Sequence, residues 1–170
     1  DAVSQFQDAK RLGNPIGRFD LAVMLEDGRG IDRDLDAARQ NYREAAIAGE
    51  KRAAVNLGLM YLSGAGGAVD LAEALRWTKL AADAGLAAGQ NNLGRMYELG
   101  LGVPADLELA RTLYAAAAAQ GYAPAKDNLR RIGCRSAELP LLLAVRRHHH
   151  RGGEPMRRRE ELAVDDHSEG

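Results

Sequence analysis

The sequence predicts an all-α protein, an α-solenoid of stacked antiparallel helix pairs, and three observations lead to it. A 36-residue period runs through the first 133 of the 170 residues. Within each period, apolar residues recur at helical spacing in two separate stretches. Glycine and aspartate recur between those stretches, at the places where helices end and begin. The columns include Gly28, Gly64 and Gly100; Asp34, Asp70 and Asp106; Ala45, Ala81 and Ala117; Gly49, Gly85 and Gly121.

The period divides the chain into units. The predicted segments are a half-unit at 1–14, unit one at 15–50, unit two at 51–86, unit three at 87–122, a half-unit at 123–133 and a tail at 134–170. The first half-unit repeats only the second half of a unit, and the last one only the first half. No repeat column continues into the tail, whose mixed charge and low hydrophobicity predict that it is mostly disordered.

The first helix of each unit is predicted from its apolar stripe. In unit two, Ala54, Leu57, Gly58 and Tyr61 follow the i, i+3, i+4, i+7 spacing of one helix face. Gly64 follows, where a left-handed backbone conformation can end the helix. A glycine inside a helix costs about 1 kcal/mol relative to alanine. The recurrence of Gly58 as Gly94 therefore predicts a close helix crossing.

The second helix of each unit is predicted to begin at an aspartate. Asp34, Asp70 and Asp106 stand where a carboxylate can accept a hydrogen bond from a free N–H of the first turn. Glu73 follows Asp70 by three residues, which resembles a capping box. Gly85 and its equivalents end these helices, so that short loops alternate and neighbouring helices run antiparallel.

Composition and charge exclude several function classes. The 23 basic and 24 acidic residues nearly cancel, whereas a general nucleic-acid binder carries a basic excess. The longest apolar stretch, residues 139–145, is too short for a membrane span. A lone Cys134 excludes an internal disulfide and a cysteine-based zinc site, and leaves an incidental or a reactive thiol as alternatives.

No catalytic constellation is visible in the repeats. Residues 1–133 contain no histidine, which excludes a histidine-dependent triad there. The Gly-x-Gly loops join two helices and lack the lysine of a phosphate-binding loop. The alternating Asp32, Asp34 and Asp36 lack the glycine and terminal glutamate of a calcium loop. His148–His150 lie between arginines, which disfavours a defined metal site. We therefore expect no cofactor and no metal.

A partner is expected on the face formed by the first helices, which line the concave side of such arrays. The candidate contacts are Phe19, Asp20, Val55, Asn56, Leu59, Asn92, Arg95, Asn128 and Arg131. Three of them, Asn56, Asn92 and Asn128, recur as a ladder with Asp20 as its first rung. Carboxamides can hold an extended peptide through its backbone groups. In the alternative interpretation, these amides cap loops or bond between neighbouring repeats.

The repeat columns resemble those of the Sel1-like repeat family, relatives of the tetratricopeptide repeats. The matching residues of unit three are Leu93, Gly94, Tyr97, Gly100, Gly102, Val103, Asp106, Ala110, Tyr114, Ala117, Ala118 and Gly121. Those of unit two are Leu57, Gly58, Tyr61, Gly64, Gly66, Asp70, Ala74, Trp77, Ala81, Ala82 and Gly85. In this alignment Trp77 and Tyr114 fill the same aromatic position. Unit one departs from the pattern, with Ala22 in place of the helix glycine and Leu25 in place of the tyrosine.

The resemblance implies a non-catalytic scaffold or adaptor that binds an unidentified protein or peptide, with a periplasmic or secreted location slightly favoured. One alternative is an enzyme acting on cell-wall or β-lactam compounds, although the paired cysteines of the cysteine-rich branch linked to β-lactams are missing here. A further alternative is a segment of a longer repeat protein whose activity lies elsewhere. The half-unit at the start and the Asp at position 1 fit that alternative.

Overall fold

The computed structural model describes residues 14–133. The predictions for residues 1–13 and 134–170 lie outside the described residues. They concern most of the first half-unit, the tail, Cys134 and the three consecutive histidines.

Seven helices and no strand make up the described stretch. The chain order is α1 (Pro15–Asp27), α2 (Leu35–Ile47), α3 (Lys51–Ser63), α4 (Leu71–Asp83), α5 (Ala87–Leu99), α6 (Leu107–Ala119) and α7, which covers 123–133. Helices α1 to α6 each pack mainly against their neighbours in the chain. Helices α1 and α2 belong to unit one, α3 and α4 to unit two, and α5 and α6 to unit three. The protein is thus an all-α solenoid of helix pairs, as the sequence predicts.

The loop inside each unit is held by repeated backbone contacts. Gly64 ends α3 with φ near +76°, and its N–H donates to the Met60 carbonyl. The Asp70 carboxylate then accepts from two N–H groups of the first turn of α4, and the Asp70 N–H donates to the Tyr61 carbonyl at 2.9 Å. At Asp34 and Asp106 the carboxylate accepts from one N–H of the first turn, and the backbone N–H again donates to a carbonyl near the end of the preceding helix.

The capping box predicted at Asp70 is incomplete. The Glu73 N–H donates to the Asp70 carboxylate, but the Glu73 side chain does not turn back to the Asp70 N–H. Its carboxylate accepts instead from the Trp77 indole N–H, at 2.8 Å, and from Arg76. The buried indole needs an acceptor, and Glu73 lies one turn away from it.

The two helices of a unit cross closely at the interior glycines. A Cβ at Gly58 would lie 2.5 Å from the Thr78 hydroxyl oxygen, and one at Gly94 would lie 3.0 Å from the Tyr114 ring. Successive units approach just as closely, because a Cβ at Gly102 would lie 2.8 Å from the Leu71 carbonyl oxygen. Contacts at such distances leave no room for a Cβ at Gly58, Gly94 or Gly102.

The buried side chains are spread along the array. One cluster joins units one and two around Tyr42, Leu57 and Trp77, and another joins unit three to α7 around Tyr114 and Ile132. Most of the other fully buried residues are alanines, which let the helices approach closely.

One residue correspondence in the predicted repeat is wrong. A spacing of 36 aligns Tyr114 with Thr78 and Tyr42, all three of which are buried. Trp77 belongs to the preceding column, whose member in unit three is Leu113. Tyr114 and Trp77 therefore fill different spaces, one turned towards the unit's first helix and the other hydrogen-bonded along α4.

Candidate functional site

Units one and three each contain a buried tyrosine that is hydrogen-bonded to a glutamate of the preceding helix. The Tyr42 hydroxyl donates to Glu26 at 2.7 Å, and the Tyr114 hydroxyl donates to Glu98 at 2.8 Å. Burial, and next the bond to the glutamate, raise the pKa of both tyrosines far above the usual range. Both hydroxyls therefore remain donors across the physiological pH range.

Glu98 also connects unit three to the following helix. Its side chain is 1 % exposed, and it accepts from two nitrogens of the Arg131 guanidinium, one of them at 2.6 Å. This bidentate (two-point) ion pair places a cation beside the Glu98 carboxylate, whose charged form burial would otherwise destabilise. The bond to Glu98 is also the main reason why the pKa of Arg131 is raised.

A chain of side-chain amides continues from Arg131 across the interface between repeats. Arg131 donates to Asn128 at 3.3 Å, and Asn128 donates to Asn91 at 2.9 Å. Asn91 lies 3.4 Å from its acceptor Asn92. Bonding between neighbouring repeats, one of the two interpretations of the asparagine ladder, thus describes Asn128. Among residues 14–133, the Asn92 side-chain nitrogen has no acceptor.

These groups line an open groove of about 450 Å³ between α5 and α7. Its lining residues are Asn91, Arg95, Glu98, Leu99, Pro124, Asn128 and Arg131. Arg95 is exposed and forms no hydrogen bond or ion pair with any residue of the described stretch. Leu99 is 52 % exposed at the edge of the same groove. The groove therefore presents a guanidinium, amide groups and an apolar side chain together.

The structure brings only some of the predicted contact residues together. Arg95, Asn128 and Arg131 line this groove, and Asn92 bonds to its wall. Asp20 lies in unit one, where it lines a second groove of about 270 Å³ with Val23, Met24 and Arg29.

Two of the apolar candidates take part in packing. The Phe19 ring lies 5.7 Å from the Tyr42 ring, with the Arg52 guanidinium 4.4 Å from the Phe19 centroid. Val55 is half-buried against the same cluster. The Asn56 side chain lies near the Tyr42 hydroxyl, where it opposes part of the rise in the pKa of Tyr42, whereas Leu59 remains 44 % exposed.

Sequence reasoning missed Glu98, which is the central carboxylate of the groove. A signal was available, because Glu26 and Tyr42 are sixteen residues apart, as are Glu98 and Tyr114. In unit two both members of the pair are replaced together, by Leu62 and Thr78. Such paired replacement between repeats of one chain indicates a direct contact.

Two other kinds of site are absent from residues 14–133. No group of three or more histidine, cysteine, aspartate or glutamate side chains there is arranged to hold a metal ion. None of the helices described is both long and apolar enough to cross a lipid bilayer.

Comparison with known proteins identifies the repeats. Residues 15–50, 51–86 and 87–122 each match the family model of the Sel1 repeat. The crystal structure of a Sel1 repeat protein from Oxalobacter formigenes is 36% identical, with a TM-score of 0.67, over 76% of this chain and 97% of that one. The crystal structure of c5321 is 34% identical, with a TM-score of 0.77; it is a protective antigen of uropathogenic Escherichia coli strains that displays an SLR fold.

The match to c5321 covers 80% of this chain but only 30% of the longer c5321 chain. No curated protein matches. Sel1 repeat proteins are generally interaction scaffolds and generally non-catalytic. The matched repeats span most of the sequence, and the chain belongs to the Sel1 repeat family.

Proposed function

We propose that this chain is a non-catalytic scaffold that binds an extended segment of a partner protein in the groove between α5 and α7. The observation that carries the proposal is the exposed guanidinium of Arg95, which lies beside amide side chains and without a partner among residues 14–133. The groove lies on the face shared by the first helices of the units, which we expect to be the concave one.

The lining suits a peptide backbone. The Asn92 side-chain nitrogen is available as a donor within the described stretch, and the side chain of Asn128 has one further N–H beyond the one given to Asn91. Such groups can bond the carbonyls of an extended strand, while Leu99 contributes apolar contact at the edge. A nucleic acid is disfavoured as partner by the balanced charge of the chain.

The rival proposal, an enzyme acting on cell-wall or β-lactam compounds, needs a carboxylate or a nucleophile free to react. The carboxylate of the groove is Glu98, and it is engaged by Arg131 and Tyr114. A carboxylate held by two donors is a poor proton acceptor, which supports the scaffold over the enzyme.

A photocrosslinking experiment tests the proposal. The photoreactive amino acid p-benzoylphenylalanine would replace Leu99 in the full-length chain, and in a matched variant it would replace Leu80, an exposed leucine on the second helix of unit two. Peptides selected from a random library on the unmodified chain are then irradiated with each variant. We expect crosslinks at position 99 and few at position 80. Equal crosslinking at both positions, or crosslinking at position 80 alone, would contradict a binding site in the groove.

A further inference from the structure

The charged side chains that line the groove bear on which peptides it could bind. We propose, resting on the proposed function, that the segment bound there presents a carboxylate, either an acidic side chain or a chain terminus, to the guanidinium of Arg95.

The charge balance of the groove is positive. Its lining holds two guanidiniums, those of Arg95 and Arg131, and one carboxylate, that of Glu98. Arg131 is matched to Glu98 by a two-point ion pair, so the charge of this pair is already compensated. Arg95 remains as the uncompensated charge among the described lining residues, and an incoming carboxylate is its natural complement.

The second groove has a different balance. Asp20 lines it together with Val23, Met24 and Arg29, and the Arg29 guanidinium lies 2.7 Å from Asp27. Its arginine is thus already paired, and its other charged lining residue is an acid. An acidic segment is therefore expected to bind more tightly in the groove between α5 and α7 than in the groove in unit one.

Donors beside Arg95 match a carboxylate in geometry as well as in charge. A guanidinium offers two parallel N–H groups to the two oxygens of a carboxylate. Asn92 lies one turn before Arg95 on α5 and has a side-chain N–H without an acceptor among residues 14–133. A carboxylate bound by Arg95 leaves the adjoining peptide carbonyl within reach of such an amide.

The test is a titration of the full-length, nitrogen-15-labelled chain with three short peptides, followed by NMR of the arginine and asparagine side chains. The first peptide is Ala-Ala-Glu-Ala-Ala with both ends blocked. The second replaces its Glu by Gln. The third is the Gln peptide with a free terminal carboxylate. We expect the first or the third to shift the signals of Arg95 and Asn92 with millimolar affinity, and the blocked Gln peptide to bind much more weakly.

Matched variants identify the guanidinium responsible. Arg95→Gln is expected to weaken binding of the carboxylate peptides about fivefold. Arg130→Gln is the control, because Arg130 lies on α7, pairs with Asp127 and does not line the groove. It removes the same charge from the chain and is expected to leave the affinity unchanged.

Three results would overturn the inference: equal binding of all three peptides, equal weakening by the two arginine variants, or no shift at Arg95 with any peptide. Library peptides that crosslink at position 99 and still do so in the Arg95→Gln variant would leave the scaffold proposal intact and refute the carboxylate. Absence of crosslinking at position 99 in the chain that keeps Arg95 would refute both proposals.

Discussion

Units one and three contain the same tyrosine–glutamate pair in different surroundings. In unit three, Glu98 is buried and Arg131, thirty-three residues later, forms a two-point ion pair with it. In unit one, Glu26 is half-buried, and the position thirty-three residues later is Leu59. A contact that only joins two helices in unit one is therefore extended in unit three into a charged, polar groove. The difference depends on the residue that the next repeat supplies.

The largest expected effect comes from removing the cation of unit three. Arg131→Leu leaves the buried Glu98 charge without its ion pair, and we expect a loss of about 3 kcal/mol in the free energy of unfolding. Arg130→Leu, on the same helix, breaks an exposed pair with Asp127 and is expected to cost less than about 0.5 kcal/mol. Urea denaturation measures both, and similar losses would show that the Glu98 pair contributes no more than a surface pair.

Removing the tyrosine hydroxyls compares the two pairs directly. Tyr114→Phe takes a donor from a fully buried carboxylate and should destabilise the protein by about 1.5 kcal/mol. Tyr42→Phe takes one from a half-buried carboxylate that water can partly solvate, and about 0.7 kcal/mol is expected. A larger loss for Tyr42→Phe in the same urea experiment would reverse the proposed ranking.

Alkaline pH should weaken both pairs. The pKa of Tyr42 and of Tyr114 is raised in the folded protein, mainly by burial, above the ordinary value of about 10. Their contribution is fully present below pH ~10 and is lost as the pH rises towards the folded pKa, because the unfolded state releases its protons first. In this range each tyrosine lowers the free energy of unfolding by about 1.4 kcal/mol per pH unit.

Unfolding measured from pH 9 upwards should therefore show a steeper decline for the natural chain than for the Tyr42→Phe, Tyr114→Phe double variant. The double variant is the control for the other groups that titrate in this range. Parallel declines would indicate that the two hydroxyls ionise in the folded chain as readily as in the unfolded one.

The smallest expected effect is a gain in stability from a substitution in the Glu26 environment of unit one. Leu59→Arg places a guanidinium at the position relative to Glu26 that Arg131 holds relative to Glu98. Because Glu26 is half-buried, we expect stabilisation of only about 0.5 kcal/mol. A double-mutant cycle with Glu26→Gln isolates the pairing energy, and a coupling energy of zero would mean that the two repeats differ in more than this one residue.

The helix boundaries could be predicted from the sequence because they depend on local chemistry. Asp34, Asp70 and Asp106 cap helices through bonds within a few residues. Gly58 recurs as Gly94 because units two and three repeat the same close crossing. Such requirements are identical in each unit, so the period itself reveals them.

The residues that line the groove could be predicted only in part. Helical spacing put Arg95 and Asn128 on one face of the first helices, and both line the groove. It placed Phe19 on the same face, but this ring packs towards Tyr42 and beneath Arg52, because a large apolar side chain turns from water into the nearest space. Glu98 was not predicted as a groove residue, because a charged side chain is usually expected to be exposed to solvent.

The sequence alone determined the all-α class, the order and approximate bounds of the helices and the family of repeats, since these follow from periodicity, caps and backbone conformation. Only the tertiary structure decided which polar side chains meet. Glu98 and Arg131 are far apart in sequence and join because α7 stacks beside α5. Arg95 lies in the same column as Arg131 but has no partner within residues 14–133. Pairing of charges depends on the distance between helices and on the burial of both groups, which a residue pattern does not contain.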